Sequence, residues 1–271
     1  EYWLRAPSPM GDTLWAHVYE PEGVANPPTA ILCHGLGVES ELLNGVVDST
    51  LDLLGRGIRV VHPSAPGHNR RCEPGWYGGE RLLATQPLGA IEHLNATAVE
   101  LAVLIRWARE KSGGAPVALG GTSLGALTAQ FMADRTRDWA PSWRPDDLLL
   151  VTTSAMTGLL SSVSSLAHAA GLPAALAGAG WATEALARLS PLSDPAGPAP
   201  LDPENILMLV GMRDTVTPAE DGMVLARRWS LPASNVILRE RGHFSAAIGL
   251  LFDRAPYVAL AARLNGRGPD L

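Results

Sequence analysis

Short apolar segments alternate with helix-forming segments along most of this chain, and this alternation limits its fold more than any other feature. The predicted strands are residues 15–19, 29–33, 58–61, 116–119, 148–152, 206–210 and 236–238. The predicted helices are residues 42–54, 94–108, 124–135, 219–229 and 245–264. Strands joined by helical crossovers pair in parallel through right-handed connections. The pattern therefore predicts an α/β fold, with an open, mostly parallel sheet and helices on both faces.

Two long segments interrupt this alternation. Residues 63–90 are rich in Pro, Gly, Arg and aromatic residues and are predicted to form a long loop. Residues 154–204 are rich in Ala, Ser and Leu. Inserted segments of this length in compact domains are usually functional. We predict one domain over residues 1–271, in which residues 154–204 form a small helical cap.

The predicted cap carries many apolar side chains. They are Leu159, Leu160, Val163, Leu166, Leu172, Leu176, Trp181, Leu186 and Leu189. We expect them to roof an apolar pocket at the carboxyl end of the sheet, where such folds bind ligands. The alternative is that they only bury one another in an extra helical layer.

Charge and composition narrow the class of partner. The net charge of -6 is spread without long basic runs, so nucleic-acid binding is not expected. No uninterrupted apolar run reaches the roughly 18 to 20 residues of a membrane-spanning helix, so no integral membrane segment is predicted. Cys33 and Cys72 are too few for a disulfide framework, which favours the cytoplasm. The first residue is Glu1, and a targeting segment ahead of it would overrule the expected cytoplasmic location. The sequence does not indicate an oligomeric state.

Residues 121–125, Gly-Thr-Ser-Leu-Gly, directly follow one predicted strand and lead into a predicted helix. This is the strand, turn and helix context of a nucleophilic serine. We expect Ser123 to adopt a strained backbone conformation, and the flanking glycines to let strand and helix approach closely. Ser123 is therefore the candidate nucleophile. The amide of Leu124, at a helix N-terminus, is a candidate donor to an oxyanion.

A second glycine-rich turn, residues 34–37, follows the predicted strand 29–33. Such a turn can supply the other oxyanion donor, for which the Leu36 amide is the candidate. We interpret His34 as a structural histidine that connects two loops by hydrogen bonds.

Asp214 and His243 each follow a later predicted strand and precede a predicted helix. An isolated aspartate at such a place is often a helix cap, and an isolated loop histidine is often solvated. The order Ser123, Asp214, His243 is nevertheless the order of a serine hydrolase triad on an α/β sheet. We therefore predict that His243 is the general base and that Asp214 orients it.

These motifs resemble the α/β-hydrolase superfamily of serine hydrolases over nearly the whole chain. They are His34-Gly35, Gly121 to Gly125, Asp214 and His243. Pro66 to Arg71, Gly75 to Glu80 and the helix ending in Trp107 resemble the abhydrolase-18-like branch. Gly79 departs from that branch, where a serine is expected before the glutamate. The resemblance implies the α/β-hydrolase fold and a lipase-like serine esterase.

The expected reaction is hydrolysis of a small-molecule carboxylic ester with an apolar acyl or aryl part. Ser123 attacks the carbonyl, and water then hydrolyses the acyl-enzyme. Neither a metal nor an organic cofactor is expected, because His62, His68 and His93 show no ligand spacing with cysteines or carboxylates.

Three alternatives stay open at this stage. The same triad would serve a thioesterase or an amidase. The fold would also serve a non-catalytic protein that binds a small molecule. Finally, Arg70, Arg71 and Glu80 are either a site for an anionic head group or an ion pair that closes the loop.

Overall fold

The computed structural model describes residues 1–37, 50–195 and 197–266, and within them eight strands form one sheet. The strands are β1 (Tyr2–Pro7), β2 (Thr13–Tyr19), β3 (Thr29–Cys33), β4 (Arg59–Pro63), β5 (Val117–Thr122), β6 (Asp147–Val151), β7 (Ile206–Gly211) and β8 (Val236–Arg239). Their spatial order is β1-β2-β4-β3-β5-β6-β7-β8. The pairs β1–β2 and β2–β4 are antiparallel and all others are parallel. The predicted mostly parallel sheet is confirmed.

Helices cover both faces of this sheet. They are α1 (Thr50–Gly55), α2 (Glu80–Ala84), α3 (Leu88–Lys111), α4 (Leu124–Arg135), α5 (Leu160–Val163), α6 (Ser165–Ala169), α7 (Leu172–Gly178), α8 (Thr183–Leu189), α9 (Ala219–Arg228), α10 (His243–Gly249) and α11 (Ala255–Leu264). Apolar residues of α3, α4 and α9 share one core cluster, and those of α1, α10 and α11 share the other. Residues 42–49 of the predicted helix 42–54 lie outside the described residues.

The central strands are buried on both faces, which explains their continuous apolar runs. In β6, Leu148 and Leu150 belong to one core cluster, and Leu149 and Val151 belong to the other. All four side chains are almost fully buried. Each such burial stabilises the fold by about 1.5 to 3 kcal/mol. The same arrangement places the carboxyl ends of β3, β5, β6, β7 and β8 along one edge.

Three elements differ from the prediction. β1 was not predicted, because this strand at the edge of the sheet is half exposed on both faces and shows no clear alternation. The predicted helix 245–264 is two helices, α10 and α11. Pro256 lies in the first turn of α11, where it lacks an N–H and disfavours a helical residue before it. α2 and the start of α3 lie within residues 63–90, which were expected to be a loop.

α3 also has the length and composition of a membrane-spanning helix. Its most apolar 18-residue window has a mean hydropathy of 1.4, and 56% of that window is buried inside the protein. A buried core helix meets the same criteria, so this is weak evidence for a membrane contact. Leu94, Leu101 and Ile105 of α3 lie in the core cluster that this helix shares with α4 and α9.

Arg71 is buried, and it forms ion pairs with Glu100 and Asp12 rather than the pair with Glu80 that the sequence suggested. Its guanidinium donates to both carboxylate oxygens of Glu100 at 2.8 and 2.9 Å and to both of Asp12 at 2.8 Å. Glu80 instead accepts a hydrogen bond from the Tyr77 amide. Arg71 therefore ties the loop after β4 to the β1–β2 turn and to α3, and it is not available to an anionic head group.

Candidate active site

Ser123 is the single residue between β5 and α4. Its backbone has φ 56° and ψ −119°, a region that residues other than glycine rarely adopt and that costs about 1 to 3 kcal/mol. Two hydrogen bonds hold it there, from the Ser123 amide to the Val151 carbonyl at 2.9 Å and from the Leu127 amide to the Ser123 carbonyl at 2.9 Å. The predicted strained conformation is therefore present, and the neighbouring strand and helix maintain it.

The glycines on either side of Ser123 are required by close packing. A Cβ atom at Gly121 would lie 2.6 Å from the Cys33 carbonyl oxygen. One at Gly125 would overlap that same oxygen and also the Cys33 carbonyl carbon. The absence of these side chains lets α4 start directly against the end of β3.

We expect Gly125→Ala to lower the free energy of unfolding by about 3 kcal/mol or more, because the added methyl group meets rigid backbone. Urea unfolding followed by circular dichroism measures the change. The matched control is Gly178→Ala at the end of α7, where a Cβ atom has no neighbour within 4 Å. That variant should match the parent or gain up to about 1 kcal/mol. Equal stability of the two variants would contradict the packing argument.

His243 lies between Ser123 and Asp214 and touches both. Its Nε2 is 2.8 Å from Ser123 Oγ, and its Nδ1 is 2.7 Å from Asp214 Oδ2. His243 is the first residue of α10, after β8, and Asp214 follows β7. Both side chains are buried. The structure thus joins the three predicted residues by hydrogen bonds, although Ser123 and His243 are 120 residues apart in the sequence.

The contact with the carboxylate determines which ring nitrogen of His243 carries the proton. A carboxylate accepts hydrogen bonds, so Nδ1 carries the hydrogen that Asp214 accepts. Nε2 is then left with its lone pair directed at the Ser123 hydroxyl. A base in this tautomer can take the hydroxyl proton as Ser123 attacks.

Thr217 holds the carboxylate of Asp214, and sequence reasoning missed it. Asp214 Oδ1 accepts hydrogen bonds from the Val216 amide at 2.8 Å and the Thr217 amide at 3.0 Å. The Thr217 hydroxyl lies 2.9 Å from Asp214 Oδ2 and 3.0 Å from the Thr152 carbonyl oxygen. Aspartates commonly accept such bonds from amides two or three residues on. The sequence Asp-Thr-Val-Thr before a helix was therefore a usable signal.

The turns that carry the two candidate oxyanion donors pack against each other. Leu124 is the first residue of α4, and the first four amides of a helix have no intrahelical partner. A Cβ atom built on Gly35 would lie 3.7 Å from the Ser123 Cβ, so the turn containing Leu36 packs against Ser123. Leu36 and Leu124 both line the cavity that contains Ser123.

His34 supports this turn as the sequence suggested. Its Nε2 accepts a hydrogen bond from the Ala65 amide at 3.1 Å, and its Nδ1 donates to the Gly35 carbonyl at 2.9 Å. Burial lowers the pKa of His34 to about 3, so the ring is neutral and both contacts agree with one tautomer. The predicted role of His34, connecting two loops, is confirmed.

Gly79 also packs behind the Leu36 turn. Its φ is 83°, and a Cβ atom there would overlap the Leu36 side chain and lie 2.7 Å from His68 Nε2. The residue expected at this position from the sequence resemblance was a serine. In this protein the Cβ atom of a serine would overlap the end of the Leu36 side chain and crowd the His68 ring.

A cavity of about 220 Å³ opens beside Ser123 and is mostly apolar. Residues 154–204 contribute Leu160, Leu166, Leu172, Leu186 and Leu189 to its lining. Five members of the predicted roof therefore line the cavity, whereas Leu176 is buried away from it. α2 and α3 also line the cavity, through Leu82, Leu83, Ala90 and Ile91, which were not singled out from the sequence.

The family of the chain follows from its sequence match. Residues 30–263 match the model of the alpha/beta hydrolase family. The chain belongs to the alpha/beta hydrolase family. No curated protein matches the chain significantly in sequence. The abhydrolase-18-like branch stays a prediction.

Solved structures show the same alpha/beta hydrolase fold. A lipase in its open form superposes with a TM-score of 0.62 at 16% identity, covering 98% of this chain and 99% of the lipase. A cold-adapted esterase from an Arctic intertidal metagenomic library gives 0.58 at 16% identity, covering 95% and 91%. An alpha-beta serine hydrolase homologue from Coxiella burnetii gives 0.52 at 19% identity, covering 96% and 95%. At these identities the likeness is one of fold.

Proposed function

We propose that this alpha/beta hydrolase is a serine esterase that cleaves a carboxylic ester with an apolar acyl or aryl part. The observation that carries the proposal is His243, which lies 2.8 Å from Ser123 Oγ and 2.7 Å from Asp214 Oδ2. A nucleophile, a base and an orienting carboxylate in hydrogen-bond contact are the arrangement that acyl transfer requires.

The proposed reaction has two halves. Ser123 Oγ forms a bond to the ester carbonyl carbon as His243 Nε2 takes the hydroxyl proton. The tetrahedral intermediate collapses, the bond to the alkoxy oxygen breaks, and the alcohol leaves with that proton. Water then attacks the acyl-enzyme by the same route and releases the acid.

The backbone amides of Leu36 and Leu124 would hold the negative oxygen of each tetrahedral intermediate. Each such donor contributes on the order of 3 kcal/mol to the stability of the transition state. Asp214 would stabilise the imidazolium form of His243, since Val216 and Thr217 keep its carboxylate in place.

The apolar cavity supports the choice of substrate. Leucine is by far the most frequent residue in its lining, which carries no aspartate, glutamate, lysine or arginine among the described residues, so it favours an alkyl or aryl group over a charged one. We propose that residues 154–204 are a cap over this cavity. The same triad would also act on a thioester or an amide, so the leaving group has to be determined by experiment.

A panel of p-nitrophenyl esters of increasing chain length tests the proposal. Hydrolysis that a fluorophosphonate blocks by labelling Ser123 is the expected result. Parallel thioester and anilide substrates establish which leaving group is preferred. Ligand binding without turnover of any of these substrates, and without labelling, would identify a binding protein instead.

We expect Leu166→Trp to shift the preference toward shorter acyl chains, because the larger side chain occupies part of the cavity that Leu166 lines. The kcat/KM for the longest accepted ester should fall about tenfold or more. The control is Val163→Trp, since Val163 is exposed on the neighbouring helix and does not line the cavity. An unchanged chain-length profile in folded Leu166→Trp would show that the cap does not bound the acyl site.

A further inference from the structure

Thr152, the first residue after β6, has a strained backbone although it belongs to neither the triad nor the candidate oxyanion turns. Its φ is 52°, in a region that residues other than glycine rarely adopt and that β-branched residues avoid. Thr152 is buried, and its amide donates to the Leu209 carbonyl at 2.9 Å. Its carbonyl oxygen lies 3.0 Å from the Thr217 hydroxyl. Backbone strain clusters at functional sites, so this contact with Thr217 is a candidate for a functional role.

The Thr217 hydroxyl also contacts the two residues that orient the proposed base reaction. It lies 2.9 Å from Asp214 Oδ2 and 3.3 Å from His243 Nδ1. Those two atoms are themselves 2.7 Å apart. The three side chains are buried, so water has little access to these contacts. The hydroxyl therefore lies beside the hydrogen bond that determines the tautomer of His243.

A hydroxyl group has a single hydrogen to donate, and the Thr217 hydroxyl has two acceptors within reach. They are Asp214 Oδ2 and the Thr152 carbonyl oxygen. The carboxylate is the stronger acceptor because it is charged. The hydrogen is therefore directed mainly at Asp214. The Thr152 carbonyl, as the second acceptor of a three-centre bond, keeps the threonine side chain in the orientation that reaches the carboxylate.

This hydrogen bond completes the donors around the Asp214 carboxylate. Oδ1 accepts from the Val216 and Thr217 amides, and Oδ2 accepts from His243 Nδ1. A carboxylate has about four acceptor positions, and the Thr217 hydroxyl occupies the last of them. Rotation of the carboxylate would break several of these bonds at once. Oδ2 therefore stays in contact with Nδ1, which keeps Nε2 directed at the Ser123 hydroxyl.

We propose that Thr217 is a positioning residue for the reaction, whose hydroxyl, held by the strained Thr152 carbonyl, fixes Asp214 and through it the ring of His243. This inference rests on the proposed esterase function and adds a fourth side chain to the three of the triad. Thr217 transfers no proton and forms no bond to the substrate.

Thr217→Val tests the role of the hydroxyl, because valine has nearly the same shape and preserves the wall of the cavity that Thr217 lines. The kcat for ester hydrolysis should fall about tenfold or more, since small displacements of a reacting group cost that much, while KM should stay within about threefold. Thr217→Ser keeps the hydroxyl and should stay within about threefold of the parent kcat. If Thr217→Val does not fold, Thr217→Cys, with a weakly donating thiol, makes the same comparison.

Thr136→Val is the matched control for the loss of a buried threonine hydroxyl. The Thr136 hydroxyl donates to the Met132 carbonyl at 2.9 Å, and Thr136 does not line the cavity. This variant should keep its kcat within about threefold, even where its free energy of unfolding falls. An unchanged kcat in folded Thr217→Val, or an equal loss of kcat in Thr217→Ser or Thr136→Val, would overturn the inference and leave the esterase proposal intact.

A double variant tests whether Thr217 acts through Asp214. Added to Asp214→Asn, Thr217→Val should lower kcat by less than about threefold more, because the carboxylate that it positions is already lost. Independent effects would multiply instead. A full tenfold further loss in the double variant would therefore overturn the inference.

Nuclear magnetic resonance of protein labelled with [¹⁵N]histidine needs no substrate and separates this inference from the esterase proposal. The Nδ1 proton of His243, identified by its loss in Asp214→Asn, should broaden or move upfield in Thr217→Val and should persist in Thr217→Ser. That result supports the positioning role even if the parent hydrolyses no ester. An unchanged Nδ1 proton signal in Thr217→Val overturns it.

Discussion

Ser123→Ala is expected to lower kcat for ester hydrolysis by about 10³-fold to 10⁶-fold while the protein stays folded. The variant removes the oxygen that forms the acyl bond and leaves the rest of the site in place. Alanine is small enough for the turn and experiences the same strain at φ 56°. The residual rate should come from substrate binding and the oxyanion donors alone.

Steady-state kinetics and a thermal unfolding curve, measured on the same preparation, test this prediction. Ser162→Ala serves as the control, because Ser162 does not line the cavity that contains Ser123, and it should retain full activity. A fall of less than about 10²-fold would mean that another nucleophile carries the reaction. A large loss of thermal stability in Ser123→Ala would instead indicate that the hydroxyl serves the fold.

Asp214→Asn is expected to lower kcat by about 10⁴-fold with little change in KM. An asparagine that keeps its carbonyl oxygen toward the Val216 and Thr217 amides turns its NH₂ group toward His243 Nδ1. The histidine then adopts the opposite tautomer, in which Nε2 carries a hydrogen and cannot accept the Ser123 proton. The imidazolium form also loses its counter-charge.

Asp194, which is half-buried, and Asp221, which is buried, provide controls for Asp214→Asn. Asp194 accepts a hydrogen bond from the Gly158 amide at 2.7 Å, and Asp221 lies 3.3 Å from the Ser154 hydroxyl. Neither contacts His243 among the described hydrogen bonds, so Asp194→Asn and Asp221→Asn should stay within about tenfold of the parent kcat. Loss of activity in one of these variants, with Asp214→Asn active, would reassign the acid.

The residues at the centre of the site were predictable because each follows a strand. Central strands buried on both faces appear as apolar runs, and their ends are therefore visible in the sequence. Ser123 and Asp214 come shortly after such runs, and His243 follows the short apolar run of β8 at one end of the sheet. Once the strands are parallel, their carboxyl ends share an edge, and the order of the three residues indicates a triad.

The parts that were missed depend on contacts between distant segments. Arg71 pairs with Glu100, 29 residues away, rather than with the nearby Glu80. The wall of the cavity formed by Leu82 and Ala90 comes from a segment whose Pro and Gly content suggested a loop. Neither the ion-pair partner of Arg71 nor the lining of the cavity can be recognised from a short stretch of sequence, because both are determined by packing over the completed sheet.

Because β8 lies at one end of the sheet, we expect heat to abolish activity at a lower temperature than it unfolds the whole domain. β8 is four residues long and pairs with β7 through Met208 to Gly211, and the hydrogen bond between Arg239 and Asp253 links it to the segment after α10. Edge elements open locally at a smaller free energy than the whole domain. Because His243 directly follows β8, fraying of this edge would move the base away from Ser123 while the central strands remain paired. Heat would then inactivate the enzyme below its melting temperature, and cooling would restore it.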